Sequence, residues 1–187
     1  MIWFRKKKTL PEGMVDLHNH VLPGIDDGAL DWESSLEMMR AYERMGFSTI
    51  AATPHRCHPL FPKNVTEQGI HVLVEEAQYR ASDDGLSLRV LPGAEYYFSD
   101  LFFSTAERAE LLSLGGECPF VLLEFPTQHP MTMMKDLVFR LQVQGIRPVL
   151  AHPERYLCLH HAPQKLREWH DAGWFFQLDL PSIVGET

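Results

Sequence analysis

The segment that organises this sequence reads Asp16-Leu17-His18-Asn19-His20-Val21-Leu22-Pro23-Gly24-Ile25-Asp26-Asp27-Gly28. His18 and His20 stand two positions apart, and residues i and i+2 of an extended strand point to the same face. The Pro-Gly and Asp-Asp-Gly sequences that follow predict a sharp turn, which would bring Asp26 or Asp27 back toward the two imidazoles. Imidazole nitrogens and carboxylate oxygens suit divalent transition metals. The segment therefore predicts a metal site, with ordinary polar surface residues at a strand end as the alternative.

The composition is that of one soluble globular domain. The chain has 187 residues, of which 45% are hydrophobic and 22% charged, enough to bury one sizeable core. The net charge of −8 argues against a nucleic-acid-binding protein, which needs a basic face. The three cysteines (Cys57, Cys118 and Cys158) show no paired spacing, so we expect no disulfide framework and a cytoplasmic location.

Residues 1–13 predict a basic tail that precedes a folded domain spanning residues 14–187. The tail begins Met1-Ile2-Trp3-Phe4-Arg5-Lys6-Lys7-Lys8 and lacks the apolar segment that follows the basic residues of a signal peptide. We expect a solvated tail. The alternative is a weak contact with a membrane surface, in which Ile2, Trp3 and Phe4 insert and the four basic residues face anionic lipid.

Strand and helix signals alternate along the domain. Short apolar runs typical of buried parallel strands occur at 14–22, 48–54, 87–97, 120–125, 148–152 and 174–180. A first helix is predicted to run to Met45, with Asp31 as its N-cap and Gly46 as its end, and a second is predicted to follow the Asn64/Glu67 capping box. Further helices are predicted at 100–114, from Met134 to before Gly145, and at 163–173. This alternation predicts a parallel α/β sheet, either doubly wound or closed as a barrel. Glycine motifs that bind nucleotide phosphates are missing, so nucleotide binding is unsupported.

Polar side chains follow the carboxyl ends of five predicted strands, where parallel α/β folds place functional groups. The segments after the first strand are Thr53-Pro54-His55-Arg56, Pro92-Gly93-Ala94-Glu95, Leu123-Glu124-Phe125 and Ala151-His152-Pro153-Glu154-Arg155. A single histidine in such a place is usually a hydrogen-bonded loop residue, and a buried carboxylate such as Glu124 is costly unless it is paired or binds metal. Five strand ends in one register favour a metal centre.

The number of candidate ligands exceeds what one catalytic zinc ion takes, which is three or four. We therefore expect paired ions, which in carboxylate-rich sites clamp a phosphoryl group and activate water. Arg56 and Arg155 follow directly on candidate ligand segments, and guanidinium groups suit phosphate oxygens. The alternative for both arginines is ordinary ion pairing at the surface.

These motifs resemble the PHP (polymerase and histidinol phosphatase) superfamily over about residues 14–185. The resemblance lies in His18-Asn19-His20, Asp26-Asp27-Gly28, Thr53-Pro54-His55, Gly93-Ala94-Glu95, Leu123-Glu124-Phe125 and Ala151-His152-Pro153-Glu154-Arg155-Tyr156. Within the superfamily, the His-Pro-Glu-Arg-Tyr segment and the Leu-Pro-Gly-Ile-Asp-Asp-Gly turn are most similar to the bacterial protein-tyrosine phosphatases of capsule and exopolysaccharide biosynthesis.

The resemblance implies a distorted parallel β/α (TIM-like) barrel with a site for two to three metal ions, manganese or alternatively iron or zinc. By motif, His18 and His20 would hold a first ion that Glu95 bridges to a second. Glu124 and His152 would complete the second, and Asp27 and His55 would serve a third. Arg155 would bind the phosphate, with Arg56 assisting.

The implied activity is that of a protein-tyrosine phosphatase, a phosphoric monoester hydrolase, in which metal-held hydroxide attacks phosphorus directly. The implied partner is the phosphotyrosine tail of a bacterial tyrosine kinase that controls polysaccharide export. A thiolate phosphatase needs an arginine six residues after its cysteine. The corresponding positions here hold Lys63, Glu124 and Gln164, which agrees with the metal route.

The family pattern continues with further strand–helix units and a late Asp-x-His motif, whereas this sequence ends at Thr187 before such a motif. We therefore expect a C-terminally short domain with an open barrel and incomplete metal sites. Open sheet edges favour pairing with another chain, so the sequence is compatible with an oligomer. Two alternative functions remain: another PHP phosphoesterase resembling histidinol phosphatase, and a truncated module that binds without catalysis.

Overall fold

Strands and helices alternate along the part of the chain that the computed structural model describes, namely residues 13–61, 63, 65–107, 111–126, 134–180 and 182. The strands are β1 (Met14–Asn19), β2 (Phe47–Ala52), β3 (His55–Arg56), β4 (Arg89–Pro92), β5 (Glu95–Tyr97), β6 (Phe120–Glu124), β7 (Arg147–Ala151) and β8 (Phe175–Gln177). The helices are α1 (Trp32–Met45), α2 (Glu67–Asp83), α3 (Asp100–Glu107), α4 (Met134–Val143), α5 (Leu157–His160) and α6 (Gln164–Asp171), with a 3-10 turn at Pro153–Arg155. The predicted N-terminal tail lies outside the described residues except for Gly13.

All strand pairs are parallel and form two sheets, β1-β2-β4 and β3-β5-β6-β7-β8. Two residues separate β2 from β3, and two residues separate β4 from β5. Each of these pairs can therefore be counted as one bent strand that begins in the first sheet and ends in the second. With these pairs counted as single strands, neighbouring strands follow the order of the chain, as in a β/α barrel. Within the described residues no strand joins β1 to β8, so the barrel is open there.

The predicted strand at 87–97 is broken into β4 and β5, and the strand before it is broken in the same way. Pro54 has no N–H to donate, so a sheet ladder cannot run through it. Its carbonyl accepts a hydrogen bond of 3.1 Å from the N–H of Glu95 and connects the two bends. Gly93 lies at the second bend, where a Cβ atom would be 3.0 Å from Cγ2 of Thr53.

Capping residues set the ends of the helices. Asp31 and Ser34 form a reciprocal capping box at the start of α1, and Gly46 ends it with φ 97°, which confirms the predicted bounds. At α2 the cap is Thr66, whose Oγ1 accepts from the N–H of Gly69 at 3.1 Å. The predicted cap Asn64 lies outside the described residues.

Three predicted elements are longer than those observed. Residues 111–114 are not helical, and the N–H of Leu112 donates to Oη of Tyr96 at 2.7 Å instead of to a helix carbonyl. The strand predicted at 14–22 ends at Asn19, since Val21 and Leu22 turn into the core and are fully buried. The last strand has three residues instead of seven.

The main core lies between the sheets and the helices, and its largest fully buried side chains include Trp174, Tyr96, Tyr156 and Phe102. Oη of Tyr156 accepts from the N–H of Phe125 at 3.0 Å, which fixes the segment after β7 against the end of β6. No disulfide joins any of the three cysteines. Among the described residues, no helix combines the length and apolar character that crossing a bilayer requires.

Candidate metal centre

The strand ends place the predicted ligands around one cavity of about 550 Å³. Its lining includes all seven predicted metal ligands together with one predicted arginine: His18, His20, Asp27, His55, Glu95, Glu124, His152 and Arg155. These residues come from β1, β3, β5 and β6 and from the segments that follow β1 and β7. The structure thus brings together side chains spread over most of the sequence.

Glu95 lies at the middle of this cluster and is fully buried. Its Oε2 atom is 3.2 Å from Nε2 of His18, 3.4 Å from Nε2 of His20 and 3.1 Å from Nδ1 of His55. Its Oε1 atom is 3.0 Å from Nε2 of His152. Four imidazoles therefore surround one carboxylate, as expected of a ligand that bridges two ions.

The spacing of the ligand atoms fits direct coordination. Nε2 of His18, Nε2 of His20 and Oε2 of Glu95 lie 3.2–3.4 Å from one another. Ligands about 2.1 Å from one ion are about 3.0–3.4 Å apart at angles of about 90–110°. Three triads have ligand atoms within 4.8 Å of one another: His18 with Glu95 and His152, His20 with Asp27 and His55, and His55 with Glu95 and Glu124.

Several buried polar atoms of the cluster have no hydrogen-bond partner among the described residues. They include Oε2 of Glu95, Oε2 of Glu124 and Nδ1 of His55. Buried polar atoms are nearly always paired, because an unpaired one loses its hydration without compensation. Divalent cations would satisfy these oxygen and nitrogen atoms, so the residues present fit the metal ions that the resemblance implies.

The same crowding shifts the pKa values of the cluster in opposite directions. Burial lowers the pKa of His20, but its contacts with Asp26 and Glu95 outweigh this and raise it to about 10. Burial and the neighbouring Glu95 raise the pKa of Glu124 to about 8. Burial is the main cause that lowers the pKa of His55 to about 4. Strong shifts with named partners in a cavity are typical of functional sites.

The turn after β1 divides its two aspartates between different tasks. Oδ2 of Asp26 accepts from Nδ1 of His20 at 2.8 Å and from the N–H of His55 at 3.0 Å, so Asp26 fixes both histidines. The Asp27 side chain is 63% exposed, and its Oδ1 lies 3.6 Å from Nε2 of His55. The sequence left open which aspartate returns to the histidines. The structure shows that Asp26 holds them in place while Asp27 faces the cavity.

The two predicted arginines do not share a location. Arg155 lines the cavity, and its half-exposed guanidinium pairs with Asp179. Arg56 is 6% exposed, lies outside the cavity lining, and donates from Nη1 to Oη of Tyr96 at 3.2 Å. Strand register explains this difference from the prediction. His55 pairs with Glu95 and Arg56 with Tyr96, so consecutive residues face opposite sides of the sheet.

The structure adds residues that the sequence did not single out. Nε2 of His58 is 3.8 Å from Oε2 of Glu124, and its ring meets Tyr97 edge-on at 4.4 Å. Phe61 stacks on His55 with ring centroids 4.8 Å apart. Gln177 contacts His18. His58 was identifiable by residue type three positions after His55, whereas a glutamine 159 residues from its partner gave no local signal.

The sequence is similar to tyrosine phosphatases. The tyrosine-protein phosphatase YwqE of Bacillus subtilis is 33% identical over 172 residues, which cover 92% of this chain and 66% of YwqE. The tyrosine-protein phosphatase CpsB of Streptococcus agalactiae serotype V is 27% identical over 173 residues, covering 91% and 69% of the two chains. This chain thus spans about two thirds of the length of these relatives.

The fold is similar as well. A crystal structure from work on YwqE of B. subtilis and CpsB of Streptococcus pneumoniae, described there as unique metal-dependent tyrosine phosphatases, superposes with a TM-score of 0.85. The sequence identity is 33%, and the superposition covers 92% of this chain and 68% of the other. The predicted parallel α/β fold and the predicted kinship are confirmed. Because residues 14–187 match the family described as "Capsular polysaccharide synthesis, CpsB/CapC", the chain belongs to that family.

Proposed function

We propose that this chain is a metal-dependent protein-tyrosine phosphatase that hydrolyses phosphotyrosine on a bacterial tyrosine kinase controlling capsular or exopolysaccharide synthesis. The observation that carries the proposal is the buried Glu95 carboxylate, with nitrogens of four histidines within 3.4 Å of its oxygens. The relatives YwqE and CpsB are named tyrosine-protein phosphatases, which supports phosphotyrosine as the substrate class proposed for this chain.

The proposed division of the ligands among the ions follows the motifs, and it groups them differently from the triads of neighbouring ligand atoms. His18 and His20 would hold one ion with Glu95, and Glu124 and His152 would hold a second with the same carboxylate. Asp27 and His55 would serve a third, and manganese is the proposed metal, with iron or zinc as alternatives. When bound, such ions polarise a phosphoryl group and lower the pKa of water for direct attack on phosphorus.

The residues of the chain would position the phosphate ester. The Arg155 guanidinium, which is 53% exposed at the cavity, would bind phosphate oxygens through its planar fork. The rings of His58 and Phe61 line the same cavity and would form an aromatic wall against the phenyl ring of phosphotyrosine. No cysteine lines this cavity among the described residues, so none of these thiols would act as nucleophile.

The proposed location is the cytoplasm, where the three cysteines would stay reduced. The kinase tail would reach the cavity from solvent and present phosphotyrosine to Arg155. The basic residues of the N-terminal tail lie outside the described residues, and weak membrane-surface contact remains a prediction from the sequence.

The test is hydrolysis of a phosphotyrosine peptide by the purified chain with Mn²⁺. We expect phosphate release that stops with a chelator, returns with Mn²⁺ and is lost in His20→Ala. The matched control is His170→Ala, which removes an exposed imidazole on α6 and should hydrolyse normally. Activity that survives both the chelator and His20→Ala would contradict the metal mechanism. A preference of more than about tenfold for histidinol phosphate would favour the other PHP hydrolases.

Arg155→Ala is expected to lower kcat/KM for the phosphotyrosine peptide by about 10–100-fold. Losing a hydrogen bond to a charged group costs about 1.5–3 kcal/mol, and about 1.4 kcal/mol corresponds to tenfold. Arg155→Lys should recover part of the loss, because lysine keeps the charge but lacks the fork. Arg140→Ala, at an exposed site on α4, is the control. Steady-state kinetics at equal metal content measures the effect. If kcat/KM fell less than twofold in Arg155→Ala, Arg155 would not bind the phosphate.

A further inference from the structure

The side chain of Gln177, at the end of β8, lies against a proposed metal ligand. Its Oε1 atom is 2.7 Å from Nδ1 of His18 and accepts from the N–H of His152 at 3.4 Å. Its Nε2 atom donates to the carbonyl of Leu178 at 2.9 Å and to Oδ1 of Asp179 at 3.2 Å. Gln177 thus connects the last described strand to residues that follow or belong to β1 and β7.

These four contacts allow one orientation of the amide group. If the oxygen and nitrogen were exchanged, the NH₂ group would face the N–H of His152 and the oxygen would face the carbonyl of Leu178. Both contacts would then be repulsive, because donor would meet donor and acceptor would meet acceptor. The Oε1 atom therefore points to His18, and Asp179 helps to hold the amide in this orientation.

The orientation of the amide determines the tautomer of His18. An amide oxygen only accepts hydrogen bonds, so Nδ1 of His18 must carry the hydrogen. In the neutral ring the lone pair is then on Nε2, the atom that lies 3.2 Å from Oε2 of Glu95. Histidine ligands commonly depend on such a partner at the second nitrogen to fix ring orientation and tautomer.

We propose that Gln177 is a positioning residue that keeps His18 protonated at Nδ1 and presents Nε2 to a divalent cation. The inference rests on the proposed function in that a metal ion occupies the centre. A neutral amide suits this position, because the carboxylates of Glu95 and Asp27 already bring negative charge to the cavity. His20 differs, since it has the carboxylate of Asp26 at its Nδ1.

Calorimetric titration of the metal-free chain with Zn²⁺ tests the proposal. Gln177→Leu should weaken Zn²⁺ binding by about 10–100-fold, the usual loss when the partner of a metal-binding histidine is removed. Gln177→Glu keeps an acceptor for Nδ1 of His18 but loses the NH₂ group that contacts Leu178 and Asp179. It should therefore bind Zn²⁺ more weakly than the unaltered chain and more tightly than Gln177→Leu. The matched control is Gln142→Leu, which makes the same change outside the cavity lining, where the amide donates to the Ala172 carbonyl. Circular dichroism of each metal-free variant verifies folding.

Nitrogen-15 spectra of the histidine-labelled, Zn²⁺-loaded chain give a second readout. The Nδ1 proton of His18, assigned by its loss in His18→Asn, should be shifted downfield and protected from exchange. It should persist in Gln177→Glu and disappear in Gln177→Leu.

Two results would overturn the positioning role alone: a His18 ring without a proton on Nδ1, or Gln177→Leu binding Zn²⁺ within twofold of the unaltered chain. Failure of the unaltered chain to bind Zn²⁺ would instead overturn the proposed function together with this inference. The two failures are therefore distinguishable in one titration series.

Discussion

Glu95→Gln is expected to lower kcat/KM for a phosphotyrosine peptide by about 10³-fold and to reduce the number of bound metal ions. The carboxylate contacts His18 and His20 through Oε2 and His152 through Oε1, so its loss removes the ligand that two ions would share. Metal polarisation of a phosphoryl group contributes several kcal/mol to transition-state stabilisation, and each 1.36 kcal/mol is tenfold in rate. Kinetics and elemental analysis of the same preparation measure both effects.

The control for this substitution is Glu37→Gln, which makes the same exchange of a carboxylate oxygen for an NH₂ group at an exposed position on α1. It should leave the rate and the metal content unaltered. If Glu95→Gln retained more than about a tenth of the activity with a full complement of metal, Glu95 would not be a ligand.

Gly28→Ala should destabilise the fold by about 3 kcal/mol and also impair metal binding. A Cβ atom at position 28 would lie 2.0 Å from the carbonyl oxygen of His20 and 2.3 Å from its Cβ. Backbone atoms cannot move aside at low cost, so His20 and the turn must shift. Thermal and denaturant unfolding of the metal-free chain measure the loss, and titration with Mn²⁺ measures the accompanying change in affinity.

Gly69→Ala is the matched control, because its added Cβ meets the side chains of Val65 and Thr66, which lie just before α2, and no backbone of another segment. We expect less than about 1 kcal/mol of change there, since alanine also favours the helix. Equal stability of Gly28→Ala and the unaltered chain would show that the turn does not pack against His20 as described.

The candidate site was largely predictable because parallel strands align their carboxyl ends. His55, Glu95 and Glu124 follow or end separate strands, and the register places His55 beside Glu95. Residue type and position therefore sufficed to predict which candidate ligands lie together. The same alternation should have excluded Arg56, since the residue after His55 on a strand faces the opposite side.

Other features depend on three-dimensional contacts that no short segment specifies. Asp26 contacts the histidines and Asp27 faces the cavity because the turn after β1 closes. The N–H of Ala29 donates to the carbonyl of His20 at 3.0 Å and holds the turn closed. The break between β4 and β5 depends on how Gly93 meets Thr53 across the sheet. The contact between Gln177 and His18 joins β8 to β1, the last and first described strands, which local periodicity does not reveal.

Anomalous diffraction from crystals grown with Mn²⁺ tests the central claim most directly. The account predicts about two or more ion peaks in one cavity, with Glu95 between two of them and His18, Glu124 and His152 as further ligands. Crystals that contain no ion among these side chains, or in which Glu95 and His152 lie in separate regions, would contradict it.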